Sequence, residues 1–192
     1  MDDDGLRSRL IAVGVDLVTT RGLAAVSLRE IARGAGVSHG APRRYFPTHL
    51  DLLAGIADRG FVLLEKRVTA ALPGGAGPSA QIAALARAYV DFAAANRGMF
   101  ELMFRHELLE GNRIGLRERS LGLFRMLIDL MAQARSADPP AGAEALAAAF
   151  WANLHGIAQL RAWGSLRVAV GGDDVEPLLR AALAAYLPEP RP

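Results

Sequence analysis

The side chains best suited to chemistry crowd one interval of the chain. Residues 36–46 read GVSHGAPRRYF and bring together Ser38, His39, the adjacent guanidiniums of Arg43 and Arg44 and the phenol of Tyr45, with the small Gly40 and Ala41 among them. Such a set donates hydrogen bonds to phosphates and to guanine edges, and small residues let a backbone come close to a groove. Ser27, Arg29 and His49 flank it. Charge points the same way: residues 5–50 hold seven arginines against Asp16 and Glu30, a net +5, whereas residues 51–192 hold equal numbers of basic and acidic side chains. A basic quarter joined to a neutral remainder suits a polyanion-binding module with a separate partner domain. The plainer alternative is that the arginines only solvate helix faces.

These residues need elements to hold them. Leu6, Leu10, Val13 and Leu17 recur at four, three and four residues, a helical stripe, and Gly22 stands where a left-handed C-cap is expected. Ser27-Leu28-Arg29-Glu30 matches a capping box, in which the serine hydroxyl accepts from the Glu30 N–H and the carboxylate reaches back. A short helix therefore starts at Ser27, with Leu28, Ile31, Ala32 and Ala35 inward. Gly36 stops it, and Ser38 or His39 caps the next. Only a tight turn fits between, so two short helices meet steeply as a helix-turn-helix with Val37 beneath. In that register Pro42 falls in the opening turn of the second helix, where a missing N–H costs little; deep inside a helix it would cost about 3 kcal/mol. Thr48-His49-Leu50-Asp51 is a second capping-box pattern and opens a long helix.

The rest of the chain reads as helical too. Spacing predicts helices over residues 79–95, 99–110, 114–135, 142–163 and 175–187, with a Pro/Gly-rich break at 73–78 and a loop at 136–140. The expected fold is all-α with about nine helices. Residues 1–50 hold the basic helix-turn-helix module and residues 51–192 a neutral helical bundle. Hydrophobic residues make up 52%, largely through alanine and leucine, which excludes general disorder. The lack of cysteine removes disulfides, zinc–cysteine sites and thiol nucleophiles. The longest uncharged run, residues 68–86, contains Pro73 and Pro78 and cannot span a bilayer as one helix. The acidic start Met1-Asp2-Asp3-Asp4 lacks the positive region of an export signal, so a cytoplasmic protein without membrane contact is expected. No HExxH, P-loop or nucleophile-elbow pattern occurs, and neither catalysis, a metal nor a cofactor is expected.

From residue 10 to residue 53, Ala12, Leu17, Gly22, Ser27-Leu28-Arg29-Glu30-Ile31-Ala32, Ala35-Gly36-Val37-Ser38, Gly40-Ala41, Tyr45-Phe46-Pro47 and Leu52-Leu53 stand in fixed order. This series resembles the DNA-binding module of the TetR/AcrR regulators. The resemblance implies an all-helical homodimer with a three-helix helix-turn-helix DNA-binding domain, residues 1–50, and a larger effector-binding and dimerisation domain, residues 51–192. It implies DNA contact by Ser27, Gly40 and Arg44. Two positions depart from the family pattern: Arg43 replaces the usual tyrosine of the reading helix, and His49 replaces the usual lysine at the start of the next helix. Both join the expected DNA-binding set, with Arg29, Ser38, His39, Ala41 and Tyr45. Tyr45 has two readings, phosphate contact or buried partner of Phe46, and contact is preferred.

Phe150-Trp151-Ala152-Asn153-Leu154-His155-Gly156 is similar to the tryptophan and His-Gly signature of one class of TetR C-terminal domains, called WHG. In the family this helix and the last one pack against their mates in a second subunit, which implies a homodimer through the last two helices. The near-continuous apolar surface of residues 146–160 independently calls for a partner. His155 has no second ligand or nucleophile at helical spacing and reads as a hydrogen-bonded core or interface histidine. Phe100, Met103, Phe104, Phe124, Met126, Trp151 and His155 are candidates to line an apolar effector cavity, with plain core packing as the alternative. The expected function is a ligand-responsive repressor that binds a palindromic operator as a dimer and responds to a small apolar effector. The alternative is the same fold used structurally or for protein interaction, without an effector.

Overall fold

A computed structural model describes residues 3–111, 113–135 and 142–187, and among them only helices and turns occur. The helices are α1 (Asp3–Arg21), α2 (Leu28–Gly34), α3 (His49–Ala71), α4 (Pro78–Ala95), α5 (Arg97–Met103), α6 (His106–Glu110), α7 (Leu116–Ala134), α8 (Ala143–Trp163), α9 (Ser165–Val170) and α10 (Glu176–Tyr186). Short 3-10 turns stand at Leu23–Ala25, Ala41–Arg44 and Arg113–Gly115. The loop expected at 136–140 lies outside the described residues. The chain divides into two compact units, Met1–Leu63 with Asn96–Ser120, and Leu64–Ala95 with Leu121–Pro192.

In the first unit, Leu10 of α1, Ile31 of α2, Phe46, and Leu52 and Ile56 of α3 are fully buried, the inward stripes of three short-range helical patterns meeting in one core. Gly22 ends α1 at φ 79°, ψ 171°. That is a conformation glycine alone adopts freely, but it is not the left-handed cap that the sequence suggests. Ser27 caps α2, its Oγ accepting from the Glu30 N–H at 3.2 Å. The Glu30 carboxylate does not complete the box; it takes hydrogen bonds from Arg33 and Arg21, and the Arg33 guanidinium above all holds its carboxyl below the usual range. α2 closes in a Schellman motif, with Val37 N–H on the Ala32 carbonyl, Gly36 N–H on the Arg33 carbonyl and Gly36 at φ 66°. At Thr48 the second capping box is complete, Asp51 N–H donating to Thr48 Oγ1 and Thr48 N–H to the Asp51 carboxylate.

Two expectations change here. The single helix over 99–110 is divided, because α5 stops at Met103 and α6 begins at His106. The helix expected from Ile114 starts at Leu116, since Ile114 sits in the left-handed region at φ 56°. α5 packs close on α3 at Gly60, where a Cβ would come within 2.8 Å of both the Met99 and Met103 sulfurs.

In the second unit, α4 turns Ile82, Leu85, Ala86, Tyr89, Val90 and Ala93 inward as its spacing predicts, and α8 and α10 pack against it. Arg87 makes a two-pronged ion pair with Glu176, joining α4 to the first turn of α10. α8 is buried on one side only: Ala147, Phe150, Leu154 and Ile157 face the core, while Trp151, Leu160 and Trp163 are exposed. α9, which the sequence reading does not anticipate, stands between Gly164 and Gly171, both with positive φ. Among the described residues no helix is long and apolar enough to cross a membrane.

Candidate nucleic-acid interface

The expected second helix of the helix-turn-helix is a four-residue 3-10 turn, Ala41–Arg44. Its bonds explain the difference. Ala41 N–H reaches the Ser38 carbonyl and Arg43 N–H the Gly40 carbonyl, both three residues back, and Pro42 has no N–H to offer. Neither Ser38 nor His39 supplies a side-chain cap; the capping position falls to Gly40, with Pro42 in the opening turn. Tyr45 and Phe46 N–H groups then close onto the Pro42 carbonyl at 3.1 and 2.8 Å.

This turn has an apolar underside and a cationic top. Pro42 and Phe46 are buried, and the Arg7 guanidinium lies over the Phe46 ring, 5.6 Å from its centroid. Ser38, His39, Gly40, Arg43 and Arg44 are exposed, Ala41 and Tyr45 half-buried. Arg29 is exposed on α2 beside the half-buried Ser27. Arg21 and Arg33 are spent on Glu30, whereas Arg29, His39, Arg43 and Arg44 make no hydrogen bond or ion pair among the described residues. His49 differs from them: its Nε2 lies 3.1 Å from the Val26 carbonyl oxygen. The structure thus brings the residues expected to contact DNA onto α2 and its cap, the turn after it and the start of α3. It leaves four cationic or ionisable side chains free to meet an anion.

The seven effector candidates fall into two groups. Phe100 and Met103 are buried and Phe104 half-buried in the first unit, where Phe104 lies 4.9 Å from Phe100 and 5.6 Å from Phe61 between ring centroids. In the second unit Phe124 contacts Trp151 at 6.2 Å, Met126 is half-buried, and Trp151 and His155 converge on the hydroxyl of Tyr89. The Trp151 indole donates to that hydroxyl at 3.1 Å, and His155 Nδ1 lies 2.9 Å from it. Burial pushes the His155 imidazole below its ordinary range and the Tyr89 phenol above its own. Sequence reasoning placed Tyr89 only in the core. The available signal was its hydroxyl, which needs a partner once buried, and a Trp–His pair four residues apart that can supply one. A half-open groove of about 590 Å³ runs between α1 and α3, lined by Ile11, Ala12, Val15, Gly55, Asp58 and Leu63 among others, and none of the seven candidates lines it. No group of three or more His, Cys, Asp or Glu placed to hold a metal ion occurs among the described residues.

Residues 10–56 match the family model described as bacterial regulatory proteins of the tetR family, and residues 82–186 match that of the tetracyclin repressor-like C-terminal domain. No curated protein matches the chain. Among solved structures, a protein of unknown function from Rhodococcus sp. RHA1 is similar at 32% identity and TM-score 0.80, with 94% of this chain and 93% of that one covered. The multidrug binding protein EbrR complexed with imidazole is 27% identical, TM-score 0.58, covering 96% of each chain. A ketosteroid transcriptional regulator of Mycobacterium tuberculosis, 18% identical with TM-score 0.60 over 95% of each chain, shares the fold.

Proposed function

The chain belongs to the TetR family of DNA-binding transcriptional regulators, and on that premise we propose that it binds a palindromic operator as a homodimer and acts as a ligand-responsive repressor. The observation that carries the DNA-binding part is the set of exposed side chains Arg29, His39, Arg43 and Arg44, without a partner among the described residues, on and beside a turn whose apolar residues are buried. In this reading residues 1–50 form the DNA-binding domain and residues 51–192 the effector-binding and dimerisation domain. Gly40 and Ala41 let the turn approach the major groove, Arg43 and Arg44 grip phosphate or guanine, and Ser27, Ser38 and Tyr45 add hydroxyl donors. Dimerisation through α8 and α10 would present two reading turns about one DNA turn apart.

Release follows from differential binding: an effector that prefers a dimer state mismatched to that spacing lowers DNA affinity by the ratio of its affinities for the two states. The imidazole complex of EbrR supports a small-molecule site in a relative of this size. Trp151, His155, Phe124 and Met126, which lie in the second unit, are the proposed lining, and Phe100, Met103 and Phe104 form a separate apolar cluster in the first.

The test is Arg44→Ala, with DNA affinity measured on a duplex selected by the wild-type protein from a random-sequence library. Arg44 is exposed, so the melting temperature should hold. Affinity should drop by roughly 1–3 kcal/mol, as for loss of one arginine contact. Unchanged affinity would remove the turn from the interface. Wild-type affinity should also fall steeply with salt as counterions are released.

A further inference from the structure

Unlike Arg29, His39, Arg43 and Arg44, the side chain of His49 has a partner in the protein, the carbonyl oxygen of Val26 at 3.1 Å from Nε2. A carbonyl can only accept, so Nε2 carries the hydrogen in this contact. The bond joins residues 23 apart and closes a ring of chain that contains all of α2, the Schellman turn and the 3-10 turn Ala41–Arg44. Its two ends are informative. Val26 is buried and immediately precedes Ser27, the cap of α2; His49 immediately follows Thr48, the cap of α3. One hydrogen bond therefore ties the two capped helix starts together.

What lies inside the ring needs such a tie. α2 has seven residues and the 3-10 turn four, both far too short to persist alone. Phe46, buried in the core, holds the far end of the turn, and the Schellman motif sets its direction from α2. The Val26–His49 bond sets where α2 begins relative to α3. We infer that His49 is a positioning residue for DNA binding: its Nε2–H holds α2 and α3 in register, so that the turn between them meets the groove preorganised, and the ring does not act as a cation toward phosphate. The inference rests on the DNA-binding reading above.

Three substitutions separate positioning from charge. Glutamine sets an N–H donor close to where Nε2–H sits, alanine removes it, and lysine offers a cation in its place. On the duplex selected by the wild-type protein, at fixed salt, H49Q should bind within about twofold of wild type, while H49A and H49K each lose roughly tenfold. H49K binding as tightly as wild type or more tightly would overturn the inference, as would H49Q falling to the level of H49A. A second measurement needs no DNA. The long-range ¹H–¹⁵N spectrum of the full chain at neutral pH should show His49 as the Nε2–H tautomer, and an Nδ1–H tautomer would overturn the bond itself. A wild-type protein that selects no duplex would defeat the DNA-binding reading and this inference with it, whatever the spectrum shows; a ranking other than the expected one on a bound duplex defeats the inference alone.

Discussion

The hydroxyl of Tyr89 is buried, and two side chains one turn apart on α8 meet it, the Trp151 N–H at 3.1 Å and His155 Nδ1 at 2.9 Å. Tyr89→Phe keeps the ring and removes the atom both partners use. Its cost should be about 1 kcal/mol in urea denaturation, at the low end for a lost buried hydrogen bond because Trp151 is 37% exposed and its N–H can turn to water. His155 adds a pH dependence. Burial lowers its folded-state pKa, so the folded protein resists a proton that the unfolded chain takes up near the ordinary value of about 6.5. The contribution is fully present above that value and is lost as pH falls through the window between it and the lower folded-state pKa. Chemical denaturation of wild type and His155→Gln at pH 7.5 and pH 5.5 should show a smaller loss in the variant; equal losses would put the dependence elsewhere. At this scale the candidate site was legible where a side chain stays outside. Arg29, Arg43 and Arg44 are exposed as their charge requires, since burying an unpaired guanidinium is prohibitive. His49 and Tyr89 were not legible in the same way, because a hydrogen bond across 23 or 66 residues leaves no local pattern.

Helices in this chain are set by their ends more than by their interiors. Ser27 and Thr48 both cap their helices, Thr48 with a complete capping box and Ser27 with its hydroxyl alone, and the stop at Gly36 is a full Schellman turn. The failures lie where end signals are missing or conflicting. No glycine or proline marks the break between Met103 and His106, so the division into α5 and α6 could not be read from punctuation. At Ala41–Arg44 no side chain caps the start, and the Ala41 and Arg43 N–H groups close three residues back rather than four, so the turn stays 3-10. Ile114 makes the sharpest case. It is β-branched, 51% exposed and held at φ 56°, a conformation that costs an L-residue roughly 1–2 kcal/mol. Asparagine tolerates that region and loses little burial there. Ile114→Asn should therefore stabilise the protein by about 1 kcal/mol, seen as a raised urea midpoint with an unchanged slope. A lowered midpoint would mean that the exposed isoleucine contributes through packing.

Across the molecule, the apolar surface that the single chain fails to bury is concentrated on the last helices. Ala145, Ala149, Ala152, Leu160 and Trp163 recur along one stripe of α8, and Leu160 and Trp163 are 41% and 72% exposed. On α10, Ala181, Ala184 and Ala185 are exposed opposite the buried Leu179 and Ala182. Single exposed leucines are ordinary, but an apolar helix face with small residues along it suits close packing against another helix. A two-fold interface doubles any change, because the same residue meets the contact from both sides. Leu160→Arg would thus place two guanidiniums in one apolar seam, where each loses water without gaining a partner. At low micromolar concentration the wild-type protein should sediment as a dimer and the variant as a monomer with its helical circular dichroism retained. The DNA consequence separates this effect from direct contact. Losing the second half-site converts bivalent binding into monovalent binding, so the variant's affinity for the selected duplex should fall by on the order of a hundredfold or more, even though Leu160 never approaches DNA in this reading. Arg44→Ala should do the opposite, keeping the dimer and weakening each half-site. A Leu160→Arg protein that stays dimeric and binds DNA like wild type would place the subunit contact away from α8.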